Sequence, residues 1–122
     1  MMTSEEYELL LTDEVQRAIA ANRGRDPLEV ALDRNTPHAR LVATQVKYLA
    51  RAEAKLPSYA AAQCILPPLA FEQASSEACA AHKRIAGGAV LDLTCGLGAD
   101  AFFLARRFRR VVTLERDQTL AR

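Results

Sequence analysis

The chain has 122 residues, half of them hydrophobic and a quarter charged, with a formal net charge of +1, a composition that excludes gross disorder. That length suits one ordinary domain, or a small domain and a piece of another, but not two complete ones. The near-neutral balance singles out no class of partner. No apolar run approaches the roughly 20 residues needed to cross a bilayer, and the acidic start at Glu5, Glu6 and Glu8 is unlike a signal peptide. Cys64, Cys79 and Cys95 are an odd number without a C-x-x-C spacing, which indicates neither a disulfide framework nor a zinc site. The expectation is a cytoplasmic protein with no metal and no membrane association.

From Ser4 to about Ala86 the chain reads as helices, because helix-cap residues punctuate it and its apolar residues recur at spacings of three and four. Ser4 is placed to cap a first segment through Leu10. Thr12 is placed to cap a second, in which Val15, Ala18 and Ile19 share a face before Gly24. Asp26-Pro27-Leu28-Glu29 has the form of a capping box with proline at the first helical position, predicting a short helix to about Arg34. Thr36-Pro37 predicts the longest helix, Pro37 to about Lys55, with Leu41, Val42, Val46, Tyr48, Leu49 and Ala52 on its apolar face. Its other face carries Arg40, Lys47, Arg51 and Lys55, a basic stripe that suits RNA or serves simply as a solvated face. A short helix from Ser58 to Ile65 and an irregular connector at Pro67-Pro68 follow. Phe71 to Glu77 then leads into a helix to about Ile85.

After Gly87-Gly88 the pattern changes. Ala89-Val90-Leu91-Asp92-Leu93 reads as a buried parallel strand, Cys95 to Gly98 as a turn, and Ala99 to about Arg107 as a helix. Val111 to Glu115 is a second strand, and Asp117 opens another helix. The expected division is a helical domain, 1–86, and the start of a nucleotide-binding α/β sheet, 87–122. Two parallel strands are too few for a stable sheet. The open edge therefore calls for self-association or for cover from the chain's own helices.

Strand, glycine turn, helix and a strand ending in an acid form the first half of a nucleotide-binding fold. Gly96-Leu97-Gly98-Ala99-Asp100-Ala101 fits G-x-G-x-x-A, which keeps a NAD(P)-dependent oxidoreductase in contention. Asp92 argues the other way. A carboxylate at the strand tip, with a second at Asp100, repels a pyrophosphate but suits the ammonium of S-adenosyl-L-methionine. Glu115 suits the two ribose hydroxyls of either cofactor, and Gly96 and Gly98 allow a ligand close to the backbone.

Val90-Leu91-Asp92-Leu93-Thr94-Cys95-Gly96-Leu97-Gly98-Ala99-Asp100-Ala101-Phe102 resembles the first motif of class I S-adenosylmethionine-dependent methyltransferases, whose fold is Rossmann-like. Thr94, where most of that superfamily has glycine, is similar to two narrower groups, the small-subunit rRNA guanine-N2 methyltransferases and the THUMP-like methyltransferases. Leu114-Glu115-Arg116 resembles the former. Lys55-Leu56-Pro57, Pro67-Pro68 and Glu72 to Glu77 resemble the helical front end of the latter, which is preferred. The resemblance implies an RNA substrate and a donor pocket of Asp92, Thr94, Gly96, Gly98 and Glu115, with Gln73, Ser75 and Ser76 closing the methionine end.

Simpler roles stand beside these. Gln73, Ser75 and Ser76 suit a helix cap, and Asp100 suits the N-terminus of its own helix. Cys95 suits a small turn residue, His38 and His82 surface positions, and the arginines at 106, 107, 109 and 110 solvation of a helix end. A helical RNA-binding or assembly module is a third reading of the whole chain. In amino-methylating families the catalytic motif, D/N-P-P-aromatic or D-P-A-R, follows the fourth strand. No catalytic residue is therefore assigned, and the chain is expected to be an inactive N-terminal fragment of its parent enzyme.

Overall fold

The computed structural model describes residues 2–121. Contacts group them into two compact units, one up to Leu69 and one from Ala70 onward, so the division falls inside a helix ahead of Gly87.

The first unit is helical. Helix α1 (Ser4–Leu10) is capped by Thr3, one residue before the expected Ser4: its hydroxyl takes the Glu6 N–H while the Glu6 carboxylate takes the Thr3 N–H at 2.8 Å. This is the reciprocal box that leaves neither donor unsatisfied. Helix α2 (Asp13–Asn22) is capped by Thr12 as expected, buries Val15 and Ile19, and is followed by Gly24 at φ +82°. Helix α3 (Pro27–Leu32) has Asp26 as its cap, but the carboxylate takes the Leu28 N–H at 2.9 Å, so a plain cap replaces the expected box.

Helix α4 (Ala39–Lys55) begins two residues later than Thr36-Pro37 suggested. His38 sits in the left-handed region at φ +48°, which a right-handed helix cannot include, and the Thr36 hydroxyl binds the Asp33 carboxylate instead of capping. Val42, Val46, Leu49 and Ala52 are buried along the inner face of α4, which packs on α2, α3 and the next helix. Helix α5 (Pro57–Ala61) stops short of the expected Ile65, because Gln63 turns left-handed at φ +50° and the Cys64 N–H closes back on the Tyr59 carbonyl.

One polar side chain lies in this core. Gln45 is 1% exposed and grips the buried Leu66 backbone on both sides: its Nε2 donates to the carbonyl at 3.1 Å and its Oε1 accepts from the N–H at 2.8 Å. The segment ahead of Pro67-Pro68 cannot pair within a helix, and Gln45 supplies what the ladder does not.

In place of the irregular connector, Pro68 opens helix α6 (Pro68–Gln73), where a missing N–H costs nothing. Helix α7 (Glu77–His82), capped by the Ser76 hydroxyl, ends three residues before Ile85. Strand β1 (Gly87–Asp92) and strand β2 (Phe108–Thr113) pair in parallel, flanking helix α8 (Ala99–Leu104). β1 begins two residues earlier than expected because Gly87 pairs with Phe108, whose ring would lie 3.0 Å from a Cβ there. α8 ends at Leu104 instead of Arg107, and β2 is correspondingly early.

The expected burial of the first strand is not observed. Val90 and Val111 are half-buried, and α8 packs against β2, while the paired Leu91 and Val112 are 54% and 38% exposed. Asp117 opens a helical turn as expected: its carboxylate takes the N–H groups of Thr119 and Leu120, and the Ala121 N–H donates to its carbonyl at 2.9 Å.

Replacing Gln45 with leucine leaves both polar groups of Leu66 buried without a partner, and the expected loss is about 2–4 kcal/mol. Urea denaturation measures it. A midpoint equal to wild type would show that the clamp adds no stability.

Candidate functional site

The site is built where β1 ends and the chain turns into α8. Asp92, the last residue of β1, accepts the Thr94 N–H on Oδ1 at 3.0 Å, which bends the chain out of the strand. The ladder continues past the bend: Leu114 N–H donates to the Asp92 carbonyl at 2.8 Å, and Cys95 N–H to the Leu114 carbonyl at 3.0 Å. Gly96 and Gly98 then take φ of +55° and +76°, and Gly98 caps α8 by backbone alone. A side chain at Gly96 would meet only open space, so its requirement for glycine is conformational.

Glu115 lies two residues past β2, and its carboxylate reaches across to this turn. Oε2 accepts the Gly96 N–H at 2.8 Å and Oε1 the Asp117 N–H at 2.8 Å. Hydrogen bonds from Asp117 and Gly96 hold its pKa below the usual glutamate value, against desolvation and the repulsion of Asp117. Asp92, Thr94, Gly96, Gly98 and Glu115, singled out from the sequence, thus belong to one turn and the strand end beside it.

The second carboxylate of the motif has a different role from the one its position suggested. Asp100 accepts the Ser75 hydroxyl on Oδ2 at 3.0 Å and the Lys83 ammonium on Oδ1 at 2.7 Å, so its charge is offset by a cation. Asp92 has no such cation among the described residues; its hydrogen bond is from the Thr94 N–H. Ser76 caps α7, and Gln73 is exposed at the end of α6.

Cys95 is half-buried. Burial raises its thiol pKa, with Asp92 and Glu115 adding to the effect against a hydrogen bond from Thr113, so the thiolate is disfavoured and the residue is unsuited to nucleophilic attack.

Only part of the arginine cluster lies at the end of α8. Arg106 sits 5.0 Å from the ring centroids of both Phe102 and Phe103, and Arg107 donates to the Ala81 carbonyl at 2.9 Å, whereas Arg109 and Arg110 lie in β2. Lys83, four residues before β1, is the site residue that sequence reasoning missed. Its neighbours carry no motif, and only folding brings it to Asp100.

Among the described residues no group of three or more His, Cys, Asp or Glu side chains is placed to hold a metal, and no helix is long and apolar enough to cross a membrane. No family model matches the chain, and no curated protein matches it. Among solved structures, the chain is similar to a "putative methyltransferase" from Porphyromonas gingivalis W83, at 28% identity and a TM-score of 0.73. The similarity covers 99% of this chain and 31% of that one. The chain therefore spans about a third of a larger protein's length, helical part included. The likeness supports a methyltransferase-like α/β fold.

The Glu115 tie carries a pH signature. The folded chain binds the Glu115 proton less tightly than the unfolded one, so this stabilisation is complete above the ordinary glutamate pKa of about 4.3. It is lost as pH falls through the lower folded value. Glu115→Gln should be less stable than wild type at neutral pH and equal to it in acid, with faster Gly96 amide exchange at neutral pH. A stability difference that persists unchanged into acid would contradict this assignment.

Proposed function

We propose that the chain carries the methyl-donor half-site of an S-adenosyl-L-methionine-dependent methyltransferase of the THUMP-like group, acting on RNA. The observation that carries the reading is the unequal state of two carboxylates around one glycine turn. Asp100 is paired with Lys83, whereas Asp92, at the tip of β1, has a backbone N–H and no cation as its partner among the described residues. An anion is matched to a ring of backbone amides, whereas a carboxylate at that place matches the donor's ammonium.

In this reading Asp92 takes the ammonium and Gly96 and Gly98 keep the loop free of side chains. Glu115, whose carboxylate retains acceptor capacity beside its backbone bonds, takes the ribose hydroxyls. Thr94 lies beside the ammonium site, and Gln73 is the exposed polar side chain for the methionine end. Ser75 and Ser76 shape that end through the bonds they already make. The donor supplies an activated methyl carbon, which passes to the nucleophile as S-adenosylhomocysteine departs; this chain's residues bind and orient. No catalytic group is assigned among them.

Titration with S-adenosylhomocysteine should give measurable heat and titration with NAD none. Asp92→Asn should weaken the former about tenfold, in line with loss of one charge-assisted bond. A response to NAD alone would replace this reading with the oxidoreductase one.

The RNA assignment rests on the exposed basic residues of α4, Arg40, Lys47 and Arg51, and on Arg106 stacked beside the exposed Phe102 ring. Changing Arg40, Lys47 and Arg51 together to glutamine should weaken filter binding of RNA and flatten its salt dependence. Unchanged binding would remove RNA contact from α4.

A further inference from the structure

A carboxylate in the first turn of a helix ordinarily serves that helix's own N–H groups. Asp100 does not: its two oxygens go to side chains 25 and 17 residues earlier in the chain. Those two partners bracket one element. Ser75 precedes Ser76, the cap of α7, and Lys83 is the C-cap residue that follows its last residue, His82. A single carboxylate therefore holds both ends of α7. Arg107, just past the far end of α8, takes the Ala81 carbonyl and fixes the same helix a third time.

Helix α7 needs such ties. It has six residues, far fewer than the roughly 12–15 at which an isolated helix becomes marginal, and it buries Glu77 and Ala80 only. Asp100 itself is two residues past Gly98, so whatever positions α7 does so against the first turn of the helix that the glycine loop opens.

We infer that Asp100 is a positioning residue, which through Ser75 and Lys83 staples the segment from Gln73 to Lys83 beside the glycine turn and so sets donor affinity without touching the donor. Lys83 is the working partner, because it fixes the end of α7 and removes the charge of Asp100 from the site. The affinity part rests on the donor site proposed above, whereas the staple exists in the free chain. The pair is exposed enough to be screened, with Lys83 at 47% and Asp100 at 27%, so the effects are moderate and fall with salt.

The test uses the 122-residue chain and its Lys83→Met, Lys83→Arg, Asp100→Asn and Ser75→Ala variants. Amide exchange without ligand reports the staple, and calorimetry with S-adenosylhomocysteine reports the site. In Lys83→Met and Asp100→Asn, amides from Ala78 to Lys83 should exchange about threefold to tenfold faster, and S-adenosylhomocysteine should bind weaker by a similar factor at low salt. Ser75→Ala should show a smaller change at the start of α7, and Lys83→Arg should restore both readings. Unchanged exchange in Lys83→Met overturns the staple. Faster exchange with unchanged affinity overturns its link to the donor site. Absence of binding by the wild-type chain sinks the donor reading and that link together, with the exchange data still deciding the staple.

Discussion

The geometry of the site depends on one carboxylate placed between two strand ends. Glu115 binds the Gly96 N–H with one oxygen and the Asp117 N–H with the other, so the turn leaving β1 and the turn leaving β2 are fixed to the same group. Backbone bonds from Leu114 to Asp92 and from Cys95 to Leu114 bring the two turns into reach. The carboxylate then joins them beyond the point where the ladder ends. Two strands with an exposed face have little else to hold their loops.

The charges around the turn divide the work between them. Asp92 stands at the strand tip with a backbone partner, Glu115 holds the loop, and Asp100 is turned away toward α7 by Ser75 and Lys83. Three acids within one motif would otherwise repel one another in a small volume. Lys83 offsets the charge of Asp100, and backbone N–H donors stabilise the carboxylate of Glu115. The arginines after α8 contribute by packing: Arg106 lies over two phenylalanine rings and Arg107 is bonded to the backbone of α7.

In the helical unit α4 plays the organising part. Its inner face buries Val42, Val46, Leu49 and Ala52 against helices on several sides. Gln45, in the middle of that face, pairs the backbone of Leu66 as a strand neighbour would. A leucine there would add apolar area but strand two polar groups, and unpaired buried groups outweigh the extra area. The outer face of α4 remains basic.

Much was legible in the chain itself, because it depends on local chemistry. Thr12, Asp26 and Ser76 cap the helices they were expected to cap, and the spacing along α4 marks its buried face. The order of strand, glycine turn, helix and strand follows from the switch in apolar pattern at Gly87 and the two glycines that accept positive φ. Boundaries were less legible where a distant or left-handed residue decides them. His38 and Gln63 end regular structure by leaving the right-handed region, and Phe108 extends both strands by packing over Gly87. Only the tertiary structure decided how the acids are partnered. Asp92 and Asp100 look alike in a motif, yet one faces the turn and the other is bound to Lys83, because that partner is 17 residues away and no local pattern records a contact made by folding.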